Sequence, residues 1–213
     1  AETISIYEQN RKFIENLPDL PRTNSLQHIS FAFKETEKPS EQKRILREIL
    51  NICKGKEELL QRKGISLDSL AFAEYRSGNS DKALNLFKES AAVAEKLKDF
   101  SSSAFTRCRI ANIFVEQYRY DEALKQLQIA ERLMKKTKVK YPLLVIHNTY
   151  GNLFLAKCDF WKSLQHYHRA DRLFREQKED YSVPMGNKGF ALNALGYYRS
   201  SIELTEKTVE IKK

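Results

Sequence analysis

The chain is poor in nearly everything that loop-rich or chemically active proteins require. Its 213 residues include 7 glycines and 5 prolines, too few for the turns of a many-stranded β-sandwich or for a disordered linker protein. Cys53, Cys108 and Cys158 are odd in number, widely spaced and without a C-x-x-C pair. They offer no disulfide framework, and buried free thiols in a reducing compartment are expected. No apolar run approaches the roughly 18 residues of a membrane-spanning helix, so membrane insertion is not expected. The first residues, AETISIYEQN, lack a basic stretch followed by an apolar one. A cytoplasmic protein is therefore expected, although a periplasmic or secreted chain whose signal had been cleaved would look the same.

Catalytic motifs are missing too. The glycines of GNKGFALNALG fit neither G-x-G-x-x-G nor a Walker loop, and no serine stands in G-x-S-x-G. His166 and His168 lie two apart on a helix, about 200° around its axis, and so cannot share one metal ion. His28 and His147 have no ligand partner at a recognisable spacing. The expectation is a non-enzyme without cofactor or metal.

Positive charge is plentiful: 37 Lys and Arg against 28 Asp and Glu give a net charge of +9. Residues 102–141 contribute about +5 and residues 142–213 about +3, with MKKTKVK (134–140) the densest run. Such an excess attracts acidic partners.

The chain also repeats itself. AEYRSGNSDKALNLFKESA, FVEQYRYDEALKQLQIAER, FLAKCDFWKSLQHYHRADR and LNALGYYRSSIELTEKTVE align, with Ala83, Ala123, Ser163 and Ser201 at one small position, 40, 40 and 38 residues apart. Leu84, Leu124, Leu164 and Ile202 follow directly. Phe87, Leu127, Tyr167 and Thr205 stand four further on, and Ser90, Ala130, Ala170 and Thr208 seven further on. Steps of three, four and seven make one helix face. Twelve residues earlier lies a second small residue, Ala71, Ala111, Gly151 or Gly189. It belongs on a preceding helix, where two backbones approach closely. Turn signals separate the two, and Asp81 and Asp121 suit the positive end of the second helix. Each unit reads as a helix–turn–helix hairpin, and stacked hairpins bury a core that none forms alone.

This pattern, over residues 65–213, resembles the tetratricopeptide repeat (TPR) family in a longer variant of about 40 residues. It is similar to the repeats of kinesin light chains, spindle-orientation adaptors, bacterial peptide receptors and MalT-like sensors. The family glycine before the second helix is present as Gly78 and Gly196 but replaced by Tyr118 and Cys158, and Thr205 stands where an aromatic belongs. The resemblance implies an all-α fold, a right-handed α-solenoid of antiparallel hairpins with about 9–11 helices. Residues 1–64 would form a degenerate N-terminal repeat or cap, with Glu41–Arg62 as one long helix and Gly64 as a closing residue. Four hairpins would follow at about 65–100, 101–139, 140–179 and 180–213. Trp161 is expected to pack between hairpins. IELTEKTVEIKK shows no solvating cap, so the repeats are expected to continue past it or to self-associate through this helix.

In the resembled family the first helix of each hairpin lines a concave groove. Carried onto this chain, the inward positions are Asp68, Ser69, Phe72 and Tyr75, then Cys108, Arg109, Asn112 and Val115, then Asn148, Thr149, Asn152 and Leu155, then Gly186, Asn187, Phe190 and Asn193. Asparagine is a poor interior helix residue, because it competes with the backbone for hydrogen bonds. Five on one face ask for a reason. A carboxamide matches the C=O and N–H of an extended peptide, so Asn112, Asn148, Asn152, Asn187 and Asn193 form a candidate peptide-binding ladder. Arg109 would grip a carboxylate, and Phe72, Tyr75 and Phe190 would supply apolar pockets. Alternatively the asparagines bond between neighbouring helices. Asp68 stands where the dicarboxylate clamp of chaperone-binding relatives needs a lysine, which argues against that clamp.

The main expectation is a scaffold holding an extended, acidic protein or peptide segment. A rival is the sensory part of a larger signalling protein, a transcription regulator or histidine kinase. Nucleic-acid binding through the basic second half is a weaker rival, since no face interleaves aromatic and basic residues.

Overall fold

The computed structural model describes residues 2–137, 139, 141–177 and 182–211. Among them are eleven α-helices and one short 3-10 turn, with no strand. Helix α1 (Glu2–Glu15) leads into five hairpins: α2 (Asp19–Glu35) with α3 (Pro39–Ile52), α4 (Leu60–Arg76) with α5 (Ser80–Lys96), α6 (Phe100–Glu116) with α7 (Tyr120–Met134), α8 (Tyr141–Ala156) with α9 (Phe160–Gln177), and α10 (Ser182–Ala194) with α11 (Tyr198–Ile211). They fall into two compact units, Ala1–Asp99 and Phe100–Lys213. No described helix is long and apolar enough to cross a membrane.

Every hairpin turns in the same way. The residue just past the first helix takes a left-handed backbone: Glu37 (φ 53°), Gly78 (82°), Tyr118 (61°), Cys158 (58°) and Gly196 (82°). The next amide then donates to a carbonyl one turn back, as Asn79 does to Glu74 (3.0 Å), Arg119 to Phe114 (2.8 Å), Asp159 to Phe154 (2.9 Å) and Tyr197 to Leu192 (3.0 Å). These are Schellman caps, which satisfy carbonyls that the helix end leaves open. Tyr118 and Cys158, which replace the family glycine, hold the same geometry at the steric cost of a Cβ.

The small positions mark the crossings. Ala71, Ala83, Ala111, Ala123 and Ser163 are fully buried. In the second unit the Ser163 Oγ donates to the Gly151 carbonyl at 2.9 Å, and Ser201 Oγ to the Gly189 carbonyl at 2.9 Å. A Cβ on Gly151 would overlap the Tyr167 ring. In the first unit Ser90 Oγ donates to the Gly64 carbonyl at 3.1 Å. Apolar side chains fill the space around these contacts. Leu26, Ile29, Phe33, Ile45, Leu46 and Ile49 form the α2–α3 core, to which Tyr7 of α1 adds. Phe114, Leu127, Ile146, Leu153 and Tyr167 are their counterparts in the second unit.

Three local expectations need correction. Residues 41–62 are not one helix: α3 ends at Ile52, Gly55 turns the chain at φ 75°, and Glu57–Leu59 form the 3-10 turn before α4. Gly64 therefore lies inside α4, where a Cβ would come within 3.0 Å of Val93. Cys158 is exposed while Cys53 and Cys108 are buried, because Cys158 occupies a hairpin tip. Trp161 is 58% exposed and does not pack between hairpins.

A buried carboxylate ties the first unit together. Glu74, at the end of α4, is 1% exposed. It accepts from Arg47 Nη2 (2.9 Å) and Lys43 Nζ (3.4 Å) of α3, and from Asn79 Nδ2 (2.8 Å) at the turn. Lys82 of α5 lies 2.9 Å away. Burial pushes the Glu74 carboxyl up, but the hydrogen bonds from Lys82 and Asn79 and the charge of Lys43 outweigh it and hold it at about 2.

Two predictions test these features. Glu74→Gln should cost about 3 kcal/mol, since it leaves cations around an uncharged buried group. The wild-type advantage, read from denaturant melts, should be full above about pH 4.5 and vanish as the pH falls towards 2, the direction required of a carboxyl whose folded pKa is depressed. Tyr118→Gly should stabilise by about 0.5–1 kcal/mol and Gly78→Ala should destabilise by about 1 kcal/mol. Nothing lies within 4 Å of a Cβ at Gly78, so that loss would measure backbone strain alone.

Candidate functional site

Helices α6 and α8 are the first helices of successive hairpins and pack side by side in the second unit. Asn112 and Asn152 occupy the same place on each. The Asn152 Nδ2 donates to Asn112 Oδ1 at 3.3 Å, so for this pair the alternative expectation, a bond between neighbouring helices, is what the structure has. Tyr167 of α9 fixes the geometry of that contact. Its ring is fully buried, and its hydroxyl donates to Asn152 Oδ1 at 2.8 Å. Burial raises the Tyr167 ionisation well above its ordinary value, so the hydroxyl remains a donor. With its oxygen held by Tyr167, Asn152 must present its nitrogen to Asn112. Asn112 spends its oxygen on that bond, which leaves its own nitrogen as a donor on the half-buried face.

Asn148 stands one helical turn before Asn152. Its Oδ1 is buried and accepts no hydrogen bond. An amide oxygen left this way costs about 1–3 kcal/mol, so the position is under tension unless a donor arrives. Arg109, three residues before Asn112, lays its guanidinium over the Phe105 ring at 4.7 Å. Cys108 and Thr149, two other inward candidates, are fully buried and face the core instead. Burial pushes the Cys108 thiol up to about 12, a hydrogen bond with Thr149 acting in the opposite direction, so it is inert.

The remaining candidates are spread apart. Phe190 is 68% exposed. Asn193 is exposed and borders a cavity of about 290 Å³ with Tyr198 and Ile202. The Asn187 side chain lies outside the described residues. In the first unit, Phe72 and Tyr75 are half-buried on α4, and Phe72 borders a cavity of about 220 Å³ with Phe33, Gln42 and Arg76.

One contact was not expected from the sequence. His147 of α8 and His166 of α9 face each other with their Nδ1 atoms 3.2 Å apart. The His166 ring stacks on Tyr150 (4.7 Å between centroids) and Phe154 (5.5 Å), and the Tyr150 hydroxyl donates to Glu131 at 3.1 Å. Burial, His147 and Arg169 together push His166 down to about 4. Burial and Arg169 lower His147. The signal was present in the repeat. Arg107 and Gln126, one repeat earlier and equally spaced, pair across their own hairpin at 2.8 Å. A step back from one small residue and forward from the other leads to facing side chains.

No protein-family model matches the chain, and no curated protein matches its sequence. Solved structures do match. BtubC (BKLC) from P. vanneervenii aligns over 99% of this chain and 90% of its own at 15% identity, with a TM-score of 0.78. A putative kinesin light chain of nearly identical TPR-like repeats, from Podosopora anserina, covers 92% of this chain and 97% of its own at 15% identity and a TM-score of 0.65. A Rap protein solved with Competence and Sporulation Factor covers 98% of this chain and 58% of its own at 12% identity and a TM-score of 0.79. At these identities the likeness establishes the fold, a TPR-like all-α helical solenoid, and the resemblance read from the repeat holds at that level.

The histidine pair carries a pH prediction. Both rings are held below the ordinary 6.5, so the folded chain resists protons that the unfolded chain takes up. Stability should be full above about pH 6.5 and fall as the pH drops towards 4. Thermal melts across that range should show a steeper decline for the wild type than for His147→Gln/His166→Gln.

Proposed function

We propose that this protein is a non-enzymatic scaffold that holds an extended protein or peptide segment against the α6–α8 face. One observation carries the reading: equivalent asparagines of successive repeats meet there in a fixed orientation. Asn112 keeps a nitrogen donor and Asn148 an oxygen acceptor without a protein partner among the described residues. A peptide backbone offers the complementary pair, a carbonyl and an amide, within each residue. A ligand N–H reaching Asn148, after a turn of its side chain, would remove an unmet acceptor as well as add a bond. The complex of a Rap protein with Competence and Sporulation Factor supports a fold of this kind in ligand binding. The net charge of +9 favours an acidic segment, with Arg109 supplying a local positive charge.

A library of acidic peptides, captured by the wild type and by Asn112→Ala/Asn148→Ala, tests the reading. Each lost amide contact should weaken capture by about 0.5–1.5 kcal/mol, or roughly 2- to 13-fold. Circular dichroism should show both proteins equally helical. Equal capture by two folded proteins would remove the amide face from the reading.

A further inference from the structure

We propose that His147 and His166 form a two-histidine site for a late first-row divalent transition ion such as Cu²⁺ or Zn²⁺, with solvent filling the remaining positions. The argument starts from distance. Two imidazole nitrogens bound to one tetrahedral ion at about 2.0–2.1 Å lie about 3.3 Å apart, and the Nδ1 atoms here stand at 3.2 Å. In the metal-free pair one Nδ1–H donates to the other ring. Moving that proton to Nε2 through solvent frees two lone pairs, with no net proton gained or lost, and a small rotation of both rings directs them at a common point.

The site is also held in place. His147 and His166 belong to the two helices of one hairpin, whose crossing is fixed by the Ser163–Gly151 hydrogen bond of 2.9 Å. Stacking on Tyr150 and Phe154 restricts the His166 ring. Imidazole binds metal through an unprotonated ring nitrogen, which each of these residues can offer. Imidazole nitrogen suits copper, zinc and nickel, with Cu²⁺ bound most tightly.

Other charges and ligands set the limits. Arg169 opposes a cation at both rings. No third His, Cys, Asp or Glu joins the pair among the described residues. The ion would therefore exchange readily, unlike one in a closed structural site. This proposal is independent of the peptide reading, because it concerns the α8–α9 contact and not the α6–α8 amides.

Titration with Cu²⁺, followed by calorimetry and electron paramagnetic resonance, provides the test. The wild type should take up one equivalent with coupling to two nitrogens. His147→Gln and His166→Gln should each weaken it about tenfold or more and lose one nitrogen, whereas His28→Gln and His168→Gln should change neither. Zn²⁺ should raise the wild-type melting temperature, a readout that does not depend on any variant folding. Copper uptake unchanged in the two site variants, or no nitrogen coupling together with no zinc effect on melting, would overturn the site.

Discussion

Two backbones must come close enough for a serine hydroxyl on one helix to reach a carbonyl on the other, and only the smallest side chains allow that approach. The arrangement of the amides on α8 and α6 follows from it. Where Ser163 meets Gly151, the Tyr167 ring occupies the space that a Cβ on the glycine would fill, and its hydroxyl reaches Asn152. That hydroxyl sets the Asn152 amide, which in turn sets its contact with Asn112. A larger residue at Gly151 would displace the ring, and the Asn152 and Asn112 amides that it orients would lose their arrangement. A packing constraint between two helices thus becomes a chemical constraint on a surface.

The two units use different means for the same purpose. In the first, α3, α4 and α5 are drawn together by cations converging on Glu74. A carboxylate surrounded in this way satisfies its oxygens while denied water, which is the condition for a buried charge to be tolerated. In the second, an ion pair of Lys188 with the buried Asp171 (3.3 Å) stands beside neutral groups: serine hydroxyls, carboxamides, a tyrosine and an imidazole pair. Neutral hydrogen bonds are directional and weaker singly, so they specify geometry more than they add stability.

The hairpins were legible in the sequence because close crossings demand small residues, and a demand repeated about every 40 residues shows as a pattern. Their turns were legible only in part. Gly78 and Gly196 announce a left-handed residue, but Tyr118 and Cys158 do not, since the surrounding caps impose that conformation on them. The break after Ile52 was missed because Ile45, Leu46, Ile49, Leu59 and Leu60 keep a helical rhythm through it, and one glycine among charged residues is a faint signal. The equivalent places of Asn112 and Asn152 followed from the 40-residue repeat. Tyr167's role in orienting them did not, because its aromatic ring already had a reason to be buried. The histidine pair escaped for a related cause: partners across a hairpin are nineteen residues apart, a spacing with no meaning until the crossing point is known.

The left-handed tip of the α8–α9 hairpin puts one side chain outside the packing altogether. Cys158 occupies it, exposed, while Cys53 and Cys108 are enclosed in the core. A thiol-reactive dye would therefore attach at a single chosen spot without mutagenesis, beside a turn held by main-chain hydrogen bonds and by the Asp159 side chain. The molecule comes with its own attachment point for following motion of the helices that carry the amides.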